Sequence, residues 1–273
     1  MNRYLNGLLL IGVTLLQAPG VSKPLAFEVV SIKAAAPVRT GGGSGCHGVD
    51  TKLRPNDPRT TVPVGHCVAP VARLSTIINQ SFGLMAIGAI KGLPDWDNAS
   101  LYAIDGKAED PSKATEAQLW EMMQTLLADR FRLKYHREPQ MVQGFELIAD
   151  KRGAKIEKST LEGAEEFSLT SNNPPGMGVF DAKKISMETM VKNLSTVNLC
   201  IGERGSVSPV VDRTGLAGYF AFKLTWDICR AENIDGDRSI RFTIKDQIGL
   251  DFQPAKVPFS FFIVDSAEKP SLN

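Results

Sequence analysis

The stretch KATEAQLWEMMQTLLADRFRLKYHREPQMVQGFELIAD, residues 113–150, decides the fold. Thr115 and Gln118 have the three-residue spacing of a capping box and stand directly before apolar residues at helical spacing. These apolar residues are Leu119, Met122, Met123, Leu126 and Leu127. The pattern predicts an amphipathic helix with one buried face.

Beyond Phe131 the period changes from helical to alternating. Apolar and polar residues alternate over 133–136 and again over 145–150, which is typical of half-buried strands. Pro139 and Gly144 stand between the two runs and predict a connection there. The stretch therefore predicts a helix followed by a β-hairpin that packs against it.

The same helix-strand-strand order recurs along the chain. Helical spacing begins at Leu74, Leu119, Met187 and Ile240. Strand patterns cover 27–33, 101–107, 209–212, 219–226, 250–253 and 259–264, and 254–258 is interpreted as a connection. We predict an α+β fold of repeated helix plus β-hairpin units packed into one or two small sheets. Any α+β protein alternates in this way, so internal duplication remains one of two interpretations.

The amino terminus has the pattern of an export signal. Asn2 and Arg3 precede a nine-residue apolar run at 8–16, too short for a membrane span, which needs about 20 residues. We predict a signal peptide at 1–18, with cleavage as late as 26, and a periplasmic or extracellular protein without a membrane span; an uncleaved anchor or a buried strand is the alternative. Two α+β domains would follow, at 27–160 and 161–273. Glycine and proline predict a long loop at 34–72 in the first domain.

Charge and motifs narrow the function. The formal net charge is +1, and removal of 1–18 takes away only Arg3, so the mature charge is +1 − 1 = 0. A neutral chain gives no electrostatic reason to expect binding to nucleic acid or to an anionic membrane. No phosphate loop or dinucleotide fingerprint is present in the sequence. We therefore expect no cofactor.

Four cysteines follow the export signal, and an exported protein can form disulfides. We predict the pairs Cys46 with Cys67 and Cys200 with Cys229, because each closes a loop within one region. The two cysteines at 46 and 67 are flanked by His47 and His66, so that the four side chains are an alternative zinc set. Adjacent residues of an extended chain point apart, which argues against zinc and for a disulfide with two surface histidines. We assign no metal ligand.

The remaining reactive residues have structural interpretations. His136 lies on the polar side of a predicted strand, and Ser44 in GGGSGC departs from a nucleophile elbow because Cys46 replaces its second glycine. Asp212 and Thr214 are typical of a turn closed by an aspartate side chain. Three aspartates near strand ends leave a glycosidase-like carboxylate pair as a weak alternative, and three tryptophans are expected in the core rather than in a groove. These are Asp95, Asp212 and Asp265, and Trp96, Trp120 and Trp226. We assign no catalytic residue.

Four stretches carry a resemblance to a known family. They are FEVVSIK at 27–33, LLADRFRLKYHRE at 126–138, PVVDRTGLAGYFAFKLTW at 209–226 and QIGLDFQPAKVPFSFFIVDSAEKPSLN at 247–273. In this order they resemble exported, soil-associated bacterial proteins of unknown function of the acidobacterial type. The resemblance implies export and a domain that also occurs attached to membrane metallopeptidases of the β-lactam-sensor type. It implies no active site. The units are also similar to the small amino-terminal domain of secretins and TonB-dependent receptors, which binds proteins, although fold does not imply function.

We expect a non-enzymatic binding or scaffold protein of the cell envelope, which recognises a protein or an envelope component. Exposed hairpin edges would suit recognition by strand addition. Two alternatives remain: an exported hydrolase whose site assembles only in the fold, and a sensor ectodomain that works with a membrane peptidase. The sequence does not indicate an oligomeric state.

Overall fold

The computed structural model describes residues 24–37, 44–53, 57–84, 87–171, 175–196, 208–228 and 239–273. The helices are α1 Leu74–Ser81, α2 Glu116–Arg130, α3 Met187–Leu194 and α4 Ile240–Thr243, which continues as a π-helical turn over Ile244–Ile248. The strands are β1 Val29–Ala34, β2 Gly45–His47, β3 His66–Ala72, β4 Ile90–Lys91, β5 Tyr102–Lys107, β6 Lys134–Ala149, β7 Glu157–Lys158, β8 Glu166–Ser171, β9 Met177–Ser186, β10 Val210–Asp212, β11 Tyr219–Asp227 and β12 Leu250–Ser266. The content is α+β, as predicted.

The described part of the chain contains three four-stranded sheets, two of which have the same topology. Their strand orders are β1-β5-β3-β2, β7-β11-β9-β8 and β10-β6-β12-β4. Adding six to each strand number converts the first order into the second. If the count returns to 1 after 12, adding six to the third order gives β4-β12-β6-β10. This is the same sheet, taken from its other edge. The two halves of the chain therefore have the same strand and helix order. They meet in the third sheet, where β6 and β12 pair antiparallel along their whole length.

Each half has its own hydrophobic core. The first core lies between sheet β1-β5-β3-β2 and helices α1 and α2, with Ile32, Leu127 and Phe131 fully buried. The second lies between sheet β7-β11-β9-β8 and helices α3 and α4, with Phe180 and Leu224 fully buried. The ribbon of β6 and β12 joins them, because its two ends contribute side chains to different cores. Burial of these apolar surfaces is the main favourable term in the stability of the fold.

The predicted hairpin at 133–149 is wrong. Residues 134–149 form the single strand β6, and Pro139 and Gly144 lie within it instead of in a turn. Phe145 N–H donates to the Pro209 carbonyl oxygen (2.9 Å) beside Gly144, and a Cβ on Gly144 would collide with that same oxygen. Gly144 therefore permits a close approach of two backbones. The predicted connection at 254–258 is also wrong, because β12 runs through it.

The predicted long loop at 34–72 is wrong in part. It contains β2, a 3-10 turn over Pro58–Thr61 and β3. Its anchoring is polar: Arg59 forms ion pairs with Asp57 (2.7 Å) and with Glu116 at the start of α2 (2.8 Å). The Arg59 guanidinium ties the segment to the helix because it donates to the Glu116 carboxylate, and its second hydrogen bond, to Asp57, holds it in place within the segment.

The helix predictions from capping and periodicity are confirmed. Thr115 and Gln118 form the capping box of α2, and all five predicted core side chains of that helix are buried. Helices α1, α3 and α4 begin at or close to the predicted residues. The fourfold series of helix plus hairpin units is not what the structure shows, because β6 and β12 are single strands.

Several predictions concern residues for which the structure gives no description. The signal peptide at 1–18, the glycines at 41–43 and the pair Cys200 with Cys229 lie outside the described residues. The domain division at residue 160 stays a prediction. The described helices include none that is long and apolar enough to cross a membrane.

Candidate binding surface

The cysteine and histidine pairs lie on opposite faces of one strand pair. Cys46 is directly opposite Cys67 on β2 and β3, and the two lie at disulfide-bonding distance in the first core. His47 is directly opposite His66 in the next position of the ladder. Because side chains alternate along a strand, the histidines face away from the cysteines. The four residues therefore do not form the alternative zinc set, and no group of three or more His, Cys, Asp or Glu suited to a metal occurs in the described ranges.

All three histidines have partners other than a nucleophile. His47 Nδ1 lies 2.6 Å from the Val62 carbonyl oxygen, and His66 Nδ1 lies 3.0 Å from Asp105 Oδ1. His136 is half-exposed and contacts Asp265 Oδ1 through Nδ1 (2.8 Å). Its other nitrogen is 3.9 Å from Glu138. The interpretation of His136 as a solvated strand residue fits these contacts.

The three aspartates of the alternative carboxylate pair lie apart. Asp212 accepts hydrogen bonds from the backbone N–H (2.8 Å) and the hydroxyl (2.7 Å) of Thr214, which confirms the predicted turn. Asp212 pairs with Leu147 of β6, and Asp265 of β12 contacts His136, which is also on β6. Eleven residues of strand (147 − 136) separate these points by about 36 Å. Asp95 begins the 3-10 turn Asp95–Asn98.

The tryptophans are core residues, as expected. Trp226 is 3% exposed and belongs to the second core. Trp96 and Trp120 pack against the first core, where Trp96 meets Tyr102 edge to face with ring centroids 6.3 Å apart. No groove is lined by all three among the described residues, since they belong to different cores.

One open groove of about 580 Å³ contains two titratable groups with shifted pKa values. The groove lies between residues 24–28 and the start of α2, and Asp110 and Lys113 are among its lining residues. The Lys113 ammonium lowers the pKa of Asp110 by hydrogen bonding, and the Asp110 carboxylate raises the pKa of Lys113 in the same way. Both shifts favour the charged forms, so neither group exchanges a proton near neutral pH. This ion pair is suited to a structural role rather than to acid–base catalysis.

A second groove of about 440 Å³ lies at the start of α1. Asp97 is buried there and accepts a hydrogen bond from the backbone N–H of Ser75 (2.9 Å), so the carboxylate caps the helix. Arg73 donates to the Asn98 side chain at 3.4 Å. The polar groups of this groove thus hold α1 against the turn that precedes β5.

The middle of the ribbon is the most distinctive exposed surface. On one face of β6 and β12, core residues of both halves occupy the two ends, and the positions between them are exposed. We call these positions the central strip: Arg137, Pro139, Met141, Gln143, Lys256, Pro258 and Ser260. Met141 is 61% exposed, the largest exposed fraction among the large apolar side chains described. On the reverse face Val257, Phe259 and Phe261 are buried.

The central strip lies at the centre of the repeat. Leu133 and Leu250 occupy equivalent positions directly before β6 and at the start of β12, so equivalent residues differ by 117 in number. Met141 is paired with Pro258, and 258 − 141 is also 117. Met141 and Pro258 are therefore equivalent residues that also pair with each other. An approximate twofold axis that relates the two halves passes through this pair.

The strip is positively charged. Arg137 and Lys256 are cationic, and none of the seven strip residues is acidic. Arg241 borders the strip in the second half, donates to the Phe252 carbonyl oxygen (3.3 Å) and lies over the Phe145 ring. Its Nε is buried and has no hydrogen-bond partner in the described part of the chain. An anionic group is the complement of such a surface.

Prolines protect the open edges of the ribbon. Phe145 N–H and the Leu147 carbonyl point outward to the β10 segment, so odd-numbered β6 positions are the outward ones. Pro139 has the same parity, and Pro258 and Pro254 lie opposite odd-numbered β6 residues. All three prolines thus occupy positions whose N–H would point to a new strand. This arrangement disfavours the strand addition expected from the sequence, at least along these edges.

Sequence reasoning missed the strip because Pro139 and Pro258 predicted connections. The available signal was the lack, between 137 and 143, of the Asn-Gly or Asp-Gly pair that a tight hairpin favours. That signal predicts a continuous strand but not its partner.

A family model described as "Protein of unknown function (DUF3738)" matches residues 75–267. The match covers 193 of the 273 residues (267 − 75 + 1). The chain belongs to the DUF3738 family. The DUF3738 match contains α1 except its first residue, α2 to α4, and all of β6 and β12, so the central strip lies within the family domain. No curated protein and no solved structure matches the chain significantly.

Proposed function

We propose that this DUF3738 protein is an exported, non-enzymatic binding protein of the cell envelope and that the central strip binds an acidic segment of a partner protein. The single observation that supports the proposal most is the composition of the strip. Two cations, a 61% exposed methionine and two prolines share one face, without an acidic residue among them.

The ribbon is a rigid support for such a surface. Its ends are held in both cores, where Phe252 and Phe262 are almost completely buried. Arg137 lies over the Phe262 ring, with its guanidinium carbon 5.3 Å from the ring centroid. A side chain that is positioned before binding loses less conformational entropy on binding. Recognition by side chains on the strip also fits edges that proline protects.

The proposed chemistry of the partner follows from the strip. Carboxylates would pair with Arg137 and Lys256, and an apolar side chain between them would cover Met141. Long-range attraction between the charges would speed association and weaken with salt. Export is supported by the cysteines at 46 and 67, which lie at bonding distance, since disulfides persist in oxidising compartments.

The experiment is site-specific photo-crosslinking in cells of the native host. A photoreactive amino acid replaces Met141 in one variant and Leu161, which is 48% exposed and outside the ribbon, in a matched control. We expect the variant at 141 to form an adduct with one partner, which mass spectrometry then identifies. The purified partner must bind the unmodified protein. Equal adducts from both positions, or a captured protein that does not bind after purification, would refute the proposal.

A further inference from the structure

His47 and His66 form a cross-strand pair in the first sheet. The two residues are directly opposite each other on adjacent antiparallel strands. Directly opposed residues have Cβ atoms about 4.5–5.5 Å apart and share one face of the sheet. Cys46 and Cys67 lie on the other face of the sheet, so a metal bound by the two histidines would not be bound by the cysteines. Strand β2 is the last strand in the order of its sheet.

The hydrogen bonds of the two rings determine which nitrogen is available. Nδ1 of His47 faces a backbone carbonyl oxygen at 2.6 Å, and Nδ1 of His66 faces the Asp105 carboxylate at 3.0 Å. Both partners only accept hydrogen bonds, so each Nδ1 carries the proton. In the neutral ring Nε2 is then the unprotonated nitrogen. Metal-ligating histidines commonly donate one ring N–H to a carbonyl or carboxylate in this manner.

Both side chains are only partly exposed, and His66 is 19% exposed. Partial burial already restricts the two imidazole rings. They would therefore lose less conformational entropy on binding a metal than fully exposed side chains would lose. Two cationic side chains oppose a bound cation. Arg59 lies beside Gly45, two residues before His47, but is paired with Asp57 and Glu116. Lys107 lies opposite His66 on β5, in the same row. Asp105 on the same strand offsets this charge through its contact with His66.

We propose that His47 and His66 bind one late first-row transition metal ion through their Nε2 atoms. Imidazole nitrogen suits Zn²⁺, Cu²⁺ and Ni²⁺, whereas Mg²⁺ and Ca²⁺ prefer oxygen. Two protein ligands leave the other coordination positions to water or to an incoming donor. The site is separate from the central strip and does not depend on the binding function proposed above.

The test is a calorimetric titration of the untagged, oxidised mature protein with Zn²⁺ alone. Zn²⁺ is redox-inert, so it leaves the disulfide state unchanged, and a thiol assay before the titration verifies that state. The variants are His47→Gln, His66→Gln and, as the matched control, His136→Gln. His136 is the third histidine of the chain, so all three substitutions remove one imidazole each. Circular dichroism verifies that each variant folds.

We expect one Zn²⁺ per chain for the wild type and for His136→Gln. Each of the other two variants should bind at least tenfold more weakly. Because His47 also contacts the Val62 carbonyl, His66→Gln alone decides the outcome if His47→Gln does not fold. Absence of binding to the wild type at millimolar Zn²⁺, unchanged affinity in folded His66→Gln, or loss of binding in His136→Gln would overturn the proposal.

Discussion

The end of α2 provides a test of the twofold repeat through the substitution Arg132→Gly. Arg132 has φ +50° and is the only non-glycine residue with positive φ among those described. Its equivalent in the second half is Gly249, with φ +65°. Arg132 follows α2, Gly249 follows the π-helical turn after α4, and each precedes a buried leucine, Leu133 or Leu250. The two halves therefore need the same left-handed backbone at this position, and only one of them uses glycine.

The expected gain is small but measurable. A left-handed conformation costs a residue with a Cβ roughly 1–2 kcal/mol. Arg132 is exposed, and its side chain has no hydrogen bond or ion pair with the described residues to lose. Glycine removes this cost but adds backbone freedom to the unfolded chain, worth about 0.5–1 kcal/mol. We expect Arg132→Gly to raise the free energy of unfolding by about 0.5–1 kcal/mol, or the melting temperature by about 2 °C.

Urea unfolding of three variants measures this effect. Arg132→Ala removes the same charge but keeps a Cβ, so it should stay within a few tenths of a kcal/mol of the wild type. The reciprocal change Gly249→Ala should lose more than about 2 kcal/mol, because strain in the left-handed region adds to a collision. Its Cβ would lie 2.6 Å from the Gly153 carbonyl oxygen and 2.9 Å from Lys155 N. An Arg132→Gly protein no more stable than Arg132→Ala, at equal m-values, would refute the reasoning.

Three further predictions concern the disulfide, pH and the ribbon edges. Replacing Cys46 and Cys67 together by alanine should cost about 3 kcal/mol in urea unfolding, because a cross-link over 21 residues restricts the unfolded chain; an unchanged midpoint would mean that the cysteines are not bonded. Burial alone would raise the pKa of Glu165, but hydrogen bonds from Ser186 and Thr189 outweigh burial and lower the pKa below the ordinary 4.5. The ionised Glu165 should therefore stabilise the fold fully above pH 4.5, and this stabilisation should be lost as the pH falls through the lower folded pKa. The free energy of unfolding of Glu165→Gln, measured against pH, should lack this part of the pH dependence. Threonine at both Pro254 and Pro258 restores outward N–H groups, so sedimentation should show concentration-dependent self-association that the wild type lacks; a double variant that sediments like the wild type would contradict the protective role.

The local elements were predictable because their signals are local. The capping box at Thr115 and the apolar spacing through Leu127 are contained within α2, and they predicted it correctly. The buried face of α3 was readable in the same way from Met187 to Leu194. Neither element required knowledge of a distant partner.

The ribbon was not predictable because its signals depend on residues far along the chain. Pro139 looks like a turn residue until β12 supplies the register that places it at an outward edge position. Gly144 looks like a turn residue until Pro209 is found against it. The same holds for the candidate surface, since Arg137 and Lys256 are 119 residues apart and share a face only through this pairing.

The sequences Cys46-His47 and His66-Cys67 show how much of a local arrangement residue spacing can predict. The mirror-image order indicated that the four residues belong together, and alternation along an extended chain indicated that cysteine and histidine point apart. What spacing did not supply was the register, which places each cysteine opposite a cysteine and each histidine opposite a histidine.

The most direct test of the binding account is the affinity of the purified partner for three forms of the protein at two salt concentrations. The forms are the wild type, the double variant Arg137→Glu with Lys256→Glu, and Lys33→Glu as an exposed charge reversal on β1, outside the strip. The account predicts at least tenfold weaker binding for the double variant, or about 1.4 kcal/mol, and little change for Lys33→Glu. It also predicts that high salt weakens the wild type more than the double variant. Equal affinities for the wild type and the double variant would contradict the assignment of the central strip.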